Sequence, residues 1–428
     1  MPDRFVSLYF ASIGLQEALV VARALLSWPL IRGEHRRSEL QDAVARHLEY
    51  AGAYSYTSGR GALAACLAAA GVGPGDDVLL SSFTCLAVPT AVLAVGARPT
   101  YCDIDPRSLN VTPDSVVAAL TPNTRAVVVQ HTLGSPADVR GVVRRVRPRG
   151  ILVIEDCALA IGTTETGRAL GSSGDAATFS MELSKTISSG WGGVLVVNDR
   201  GLNSRVLDQY ARLDQARFLR SLRMAVQAAV CGVSYEPQLY WLGRYLVAVG
   251  FRLGLFGRST PVEEFNGLIA SGFVAKLGAP QAALGAHQWN RLERIARSCE
   301  GNGVRIREAL KRLGYLPLGA CSANVFSVSN RVSFLVADRP AIMEWFRVRG
   351  VELGSWFDGP LSPLPRAAAF NYQGQAFPNA SFVAEHIVNV PCHSRLNVSD
   401  IEDMERLLAD YAADHPEDLQ VQEKLQAL

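Results

Sequence analysis

Residues 177 to 199, Ala177 to Asp199, read ATFSMELSKTISSGWGGVLVVND. The stretch opens as a strand ending at Ser180, passes Ser184 and Lys185 into a loop punctuated by Gly190, Gly192 and Gly193, and returns as the apolar strand Val194 to Val197. A lysine ammonium between two apolar strands is costly to bury unless it is paired or has lost its charge. Covalent capture by a carbonyl cofactor is one way to lose it. Lys185 is therefore a candidate Schiff-base lysine, weighed against the plainer reading of an exposed lysine on a hairpin turn.

Working upstream, Ile151 to Asp156 (ILVIED) is an apolar strand that ends in two acids. Glu155 should point to the opposite face from Asp156 and reads as structural. Further apolar runs, Val78 to Ser82, Arg98 to Cys102 and Ala126 to Gln130, alternate with helical stretches, the pattern of a largely parallel sheet covered on both faces. Ligands of such sheets sit beyond the carboxyl ends of the strands, so Asp156, Ser180 and Lys185 are expected to converge. An amine, a carboxylate and a hydroxyl are what pyridoxal 5'-phosphate needs, for its aldehyde, its ring nitrogen and its phosphate. His131, at the end of the Ala126 to Gln130 strand, suits the cleft or a structural role equally.

These residues also carry a resemblance. Phe179-Ser-Met-Glu-Leu-Ser-Lys185 with the Gly-Gly strand behind it, Ile154-Glu-Asp-Cys-Ala158, and His131-Thr-Leu-Gly-Ser-Pro-Ala-Asp138 resemble the DegT/DnrJ/EryC1/StrS aminotransferases, densely over residues 50 to 200 and loosely beyond. The resemblance implies an α/β, fold-type I pyridoxal-phosphate-dependent transferase. It would have a large domain over residues 1–285, with a mostly parallel seven-stranded sheet, an N-terminal arm and a helical insertion near 205–260. A smaller C-terminal α/β domain would follow over residues 286–428.

Residue by residue, the resemblance gives Lys185 the cofactor aldehyde, Asp156 the ring nitrogen, and Ser180 with the amides of Gly59, Arg60 and Gly61 the phosphate. Arg60 stands where the family has a threonine, which leaves phosphate, substrate or water as its target. Cys85 falls where the family stacks an aromatic on the ring, and Phe83 is the alternative. Leu159 replaces a glutamine or histidine that touches the cofactor hydroxyl, which weakens the inference to sugar amination. A homodimer with shared active sites follows, in which the partner subunit's Lys276 supplies a further cation to the phosphate.

The implied reaction moves an amino group from glutamate or glutamine to a ketone or aldehyde of a sugar nucleotide, cyclitol or related intermediate. Two competitors are a lyase or dehydratase on the same scaffold, against which the lysine argues, and a cofactor-binding regulator without catalysis.

Composition agrees with an enzyme of this size. Apolar residues make up 49% and charged residues 19%, which excludes disorder, and a formal net charge of +2 with no basic stripe sets nucleic acid aside. Cys66, Cys85, Cys102, Cys157, Cys231, Cys299, Cys321 and Cys392 form no CxxC pair, so reduced core thiols in a cytoplasmic protein and no metal site are expected. The apolar run Phe5 to Leu15 lacks a small-residue cleavage site and fails as a signal peptide. Residues 219–256 alternate apolar runs with Arg220, Arg223, Arg244 and Arg252, and include Trp241 and Tyr245. They read as helices with an apolar face, covered by the core or the dimer, with a membrane surface or a carrier-bound hydrophobic substrate as the lesser alternative.

Overall fold

The computed structural model describes residues 5–8, 12–27, 33–48, 50, 52–234, 240–257, 260–268, 272–319, 324–363, 367–372 and 377–428. Its centre is a seven-stranded sheet of β1 (Gly52–Tyr56), β2 (Asp77–Ser81), β3 (Arg98–Cys102), β4 (Thr124–Gln130), β5 (Leu152–Asp156), β6 (Ala176–Ser180) and β7 (Gly193–Val197). The spatial order is β1-β7-β6-β5-β4-β2-β3. The strands from β6 to β3 pair in parallel, while β7 is antiparallel to both β6 and β1. Strands covered on both faces need continuous apolar runs, and all five residues of β7 and Ala126 to Gln130 of β4 are buried accordingly. The expected sheet is thus present, an α/β architecture of fold type I.

β1 has no strand signal of its own. Gly-Ala-Tyr-Ser-Tyr is weak by composition, and its pairing with β7 in register from Gly52 opposite Val197 to Tyr56 opposite Gly193 makes the strand. The helices that matter here are α1 (Leu15–Ser27), α2 (Gly33–Leu48), α3 (Gly59–Ala69), α4 (Phe218–Ser234), α5 (Tyr240–Arg252), α6 (Ala279–Trp289) and α7 (Leu292–Arg312). Two helices, α1 and α2, thus precede the first strand of the sheet. Leu8 and Ile13 of the N-terminal apolar run are fully buried.

A second core follows α6. In it β8 (Arg331–Leu335) pairs antiparallel with β9 (Ile387–Pro391), and α7 and the helix Val398–Asp414 enclose Phe334, Phe346, Ile401 and Met404. No helix among the described residues is long and apolar enough to cross a membrane.

The N-terminal segment is strapped across this second core. Val6 bridges Val351, and the Ser7 carbonyl accepts a hydrogen bond from His393 Nε2 at 2.9 Å. Burial pushes the His393 imidazole down to about 4. The unfolded chain therefore takes up a proton near pH 6.5 that the folded chain refuses until about pH 4, and stability falls as pH drops through that window. His393→Gln keeps a donor for Ser7 and removes the titration. Urea melts at pH 7 and pH 4.5 should show a smaller acid loss in the variant than in the parent, and equal losses would refute the assignment.

Candidate active site

Tyr56, Gly193 and Ser180 lie in one register row, and Gln130 pairs with Asp156 in another, so the ends of β1, β6, β5 and β4 open on one edge of the sheet. Two glycines shape that edge. Gly190 has φ +82°, a left-handed conformation that a side chain disfavours. At Gly193 an added Cβ would come within 2.4 Å of the Gly59 nitrogen, so the absence of a side chain lets β7 abut the start of α3.

A cavity of about 470 Å³ opens there, lined by Ser58, Gly59, Arg60, Cys85, Ser180 and Lys185 among others. Lys185 is only 9% exposed. Burial pulls its ammonium below the usual lysine range, and the Arg331 guanidinium adds to this, against Glu182, Cys85 and Asp156, which favour the charge. Asp156 is buried beside it. Burial raises its carboxyl, opposed by the Ala158 amide, which donates to Oδ1 at 2.9 Å, and by Lys185. Burial disfavours the charged form of both groups, while their mutual attraction favours it.

Glu155 faces the other way, as the strand period requires. Its oxygens accept hydrogen bonds from the amides of Gly171, Ser173 and Gly174 and from His131. Burial alone would raise this carboxyl, but the His131 bond and these amides together hold it below the usual range. His131 Nδ1 accepts from the Ala137 amide, so Nε2 carries the proton donated to Glu155. The structural reading of His131 is therefore the right one, although His131, Glu155 and Cys157 cluster closely enough to invite a metal.

Several expected contacts come out differently. Ser58 caps α3, and its hydroxyl accepts the Gly61 amide at 3.0 Å, so Gly61 is committed to the helix rather than to an anion. Gly59, at the first position of α3, has no acceptor for its amide within the helix and lines the cavity. Arg60 lines the cavity, and its Nη2 lies 3.2 Å from Oε1 of Glu264, which is fully buried. Burial raises the Glu264 carboxyl and Arg60 opposes that shift.

Cys85 lines the cavity, while Phe83 is fully buried edge-on against Phe357 and does not. Leu159 packs against the main core instead of lining the cavity. Lys276 of this chain is drawn away, its Nζ donating to the Ala211 carbonyl at 3.0 Å above the Tyr210 ring.

Two residues enter that the sequence reading did not single out. The Lys185 Nζ lies 5.0 Å from the centre of the Trp356 ring, and the Arg331 guanidinium 4.6 Å from the same ring. Arg331 Nε also donates to Asn330 Oδ1, and Asn330 Nδ2 donates to the Ser184 carbonyl next to Lys185. A signal existed: Arg331 is a lone cation opening the apolar strand RVSFL, the same anomaly that marked Lys185.

The long apolar stretch forms α4 and α5, which pack together. Ser221, Ala225, Gln227, Ala228 and Cys231 of α4 are buried, while Leu242, Tyr245 and Leu246 of α5 are exposed, so the expected apolar face is present on the single chain. Leu239 and the side chain of Trp241 lie outside the described residues.

A dTDP-4-dehydro-2,3,6-trideoxy-D-glucose 4-aminotransferase of Saccharopolyspora spinosa is 34% identical over 220 residues, 50% of this chain and 57% of that protein. An L-glutamine:2-deoxy-scyllo-inosose aminotransferase of Streptomyces fradiae is 42% identical over 149 residues, 35% of each. The chain thus spans between about a third and just over half the length of these curated relatives. The aminotransferase TlmJ from Streptoalloteichus hindustanus superposes with a TM-score of 0.72 at 26% identity, covering 96% of this chain and 99% of that one. A match to the DegT/DnrJ/EryC1/StrS aminotransferase family runs over residues 12–408, across both the sheet that presents Lys185 and the core that presents Arg331. The chain belongs to the DegT/DnrJ/EryC1/StrS aminotransferase family.

Proposed function

We propose that this protein is a pyridoxal-phosphate-dependent aminotransferase that moves an amino group from glutamate or glutamine to the ketone or aldehyde of a sugar nucleotide or cyclitol. One observation carries the reading: a buried lysine, biased toward its neutral amine, shares a cavity with Ser180 and Gly59 while a buried carboxylate stands close enough to shift its charge. The residues present fit the cofactor of this family. Lys185 would meet its aldehyde, Asp156 would hold a proton on its ring nitrogen, Ser180 and the Gly59 amide would hold its phosphate, and Cys85 would face its ring. Bound there, the cofactor supplies an electron sink for bond changes at the substrate carbon.

The chain's own part is positional and acid–base. Lys185 would serve as the acid and base that moves a proton at the substrate carbon. Arg331 sets a positive field beside Lys185 that suits the carboxylate of an amino acid donor. Trp356 and Leu183 help to exclude water from the cavity. Adding glutamate or glutamine to the yellow protein should yield pyridoxamine phosphate. A lyase or dehydratase accumulates none, and that result would overturn the reading.

The phosphate contacts within one chain are thin for a dianion, since Gly61 and Arg60 are engaged elsewhere. The working form is a homodimer in which the partner subunit's Lys276 leaves its carbonyl contact to supply a cation across the interface. Light scattering on active protein should report twice the chain mass, and an active monomer would refute this. The protein's place of work in this reading is the cytoplasm, on small molecules.

A further inference from the structure

The side of the cavity away from the sheet is built by a segment that the reaction chemistry does not use. Gln227 of α4, Phe251 of α5, and Gly257 and Thr260 beyond it line the same cavity as Lys185. This wall is anchored at both ends. On one side, Ala225 and Ala228 of α4 pack in a cluster with Leu183, Trp191 and Leu284, and Gln281 Nε2 donates to the Ser221 carbonyl. On the other, the turn Val262–Asn266 sends the buried Glu264 to Arg60 at the head of α3.

Between the anchors the return loop is clamped onto α4. The Gln227 amide both donates to the Gly257 carbonyl, at 3.1 Å, and accepts the Gly257 amide, at 2.9 Å. Arg223 Nε donates to the Leu255 carbonyl at 2.8 Å. Phe256 packs against Gly250, where an added Cβ would come within 2.6 Å of its ring, and meets Phe251 edge-on. Each end of the Gln227 amide therefore helps to hold the loop. Besides the Thr260 side chain, what the wall offers a ligand is the Phe251 ring, and Leu183 and Trp191 line the same cavity.

We propose that this segment is the acceptor subsite, and that it selects a ring ketone with an apolar C–H face, deoxygenated on the side that meets Phe251. The inference rests on the aminotransferase reading above. An aromatic ring gains by covering apolar surface, whereas a hydroxyl pressed against it loses its water without finding a partner. Arg60 and Arg220 both face the buried Glu264.

The test separates the ketone from the donor. The probes are 2-deoxy-scyllo-inosose, dTDP-4-dehydro-2,3,6-trideoxy-D-glucose and the fully hydroxylated scyllo-inosose. Single-turnover conversion of the pyridoxamine form should be at least about tenfold faster with one of the two deoxygenated rings than with scyllo-inosose. Phe251→Ala should weaken calorimetric binding of the preferred ketone to the pyridoxal form, where a ketone binds without reacting, by about tenfold. Phe251→Leu should recover most of that loss. No conversion of either deoxygenated ring, preference for scyllo-inosose, or unchanged binding in Phe251→Ala overturns the proposal. Formation of pyridoxamine phosphate from glutamate or glutamine is read separately, and its failure would count against the aminotransferase reading itself.

Discussion

Lys185→Ala is expected to abolish the yellow colour of the purified protein and to lower amino transfer by on the order of 10²- to 10⁴-fold, the range lost when a positioned proton-transfer group is removed. In the parent protein, borohydride should bleach the colour and fix the cofactor at Lys185, which a tryptic mass map locates. The physical basis is the position of this amine. It lies beyond the end of β6, is 9% exposed, and is held toward its neutral, nucleophilic form by burial. Lys276 donates to the Ala211 carbonyl, does not line the cavity, and should remain unmodified. A reduced adduct on any lysine other than Lys185 would overturn the assignment.

Asp156→Asn should keep the cofactor bound and lose roughly 10²- to 10³-fold in turnover, the scale seen when one preorganised electrostatic partner is removed. An amide of nearly the same shape keeps the acceptor for the Ala158 amide but cannot hold a proton on a ring nitrogen. Burial raises the Asp156 carboxyl, and a cation beside it favours the carboxylate form. The cofactor's protonated ring is that cation, so the same substitution should also weaken cofactor retention at high pH, where the parent keeps the ring charged. Near-normal turnover in Asp156→Asn, measured with saturating cofactor, would sink the role. Glu155→Gln provides the contrast. It loosens the His131 bond and the loop amides, and its effect should appear in thermal stability before it appears in turnover.

The sheet and the buried lysine and carboxyl at its edge were legible in the sequence because each rests on a local physical rule. Runs such as AVVV of β4 and VLVV of β7 have no surface to face but the inside, so they report a doubly covered sheet wherever they occur. Lys185 and Asp156 stand out because a charge at the end of such a run is expensive without a reason. The alternation of Glu155 and Asp156 assigned one acid to structure and the other to the cleft, as the strand period demands.

What the tertiary structure alone decided concerns partners distant in sequence. Gly61 is spent on the Ser58 cap, and Phe83 turns to Phe357 and leaves Cys85 at the cavity. Arg60 meets Glu264 across the fold. Arg331 reaches the lysine through Trp356 and Asn330, and the apolar helices α4 and α5 bring Gln227 and Phe251 to the same cavity. Hydrophobic periodicity tells a residue which face is inward. It carries no information about which other inward face it will meet, because that choice is made by packing, and packing is a property of the whole chain.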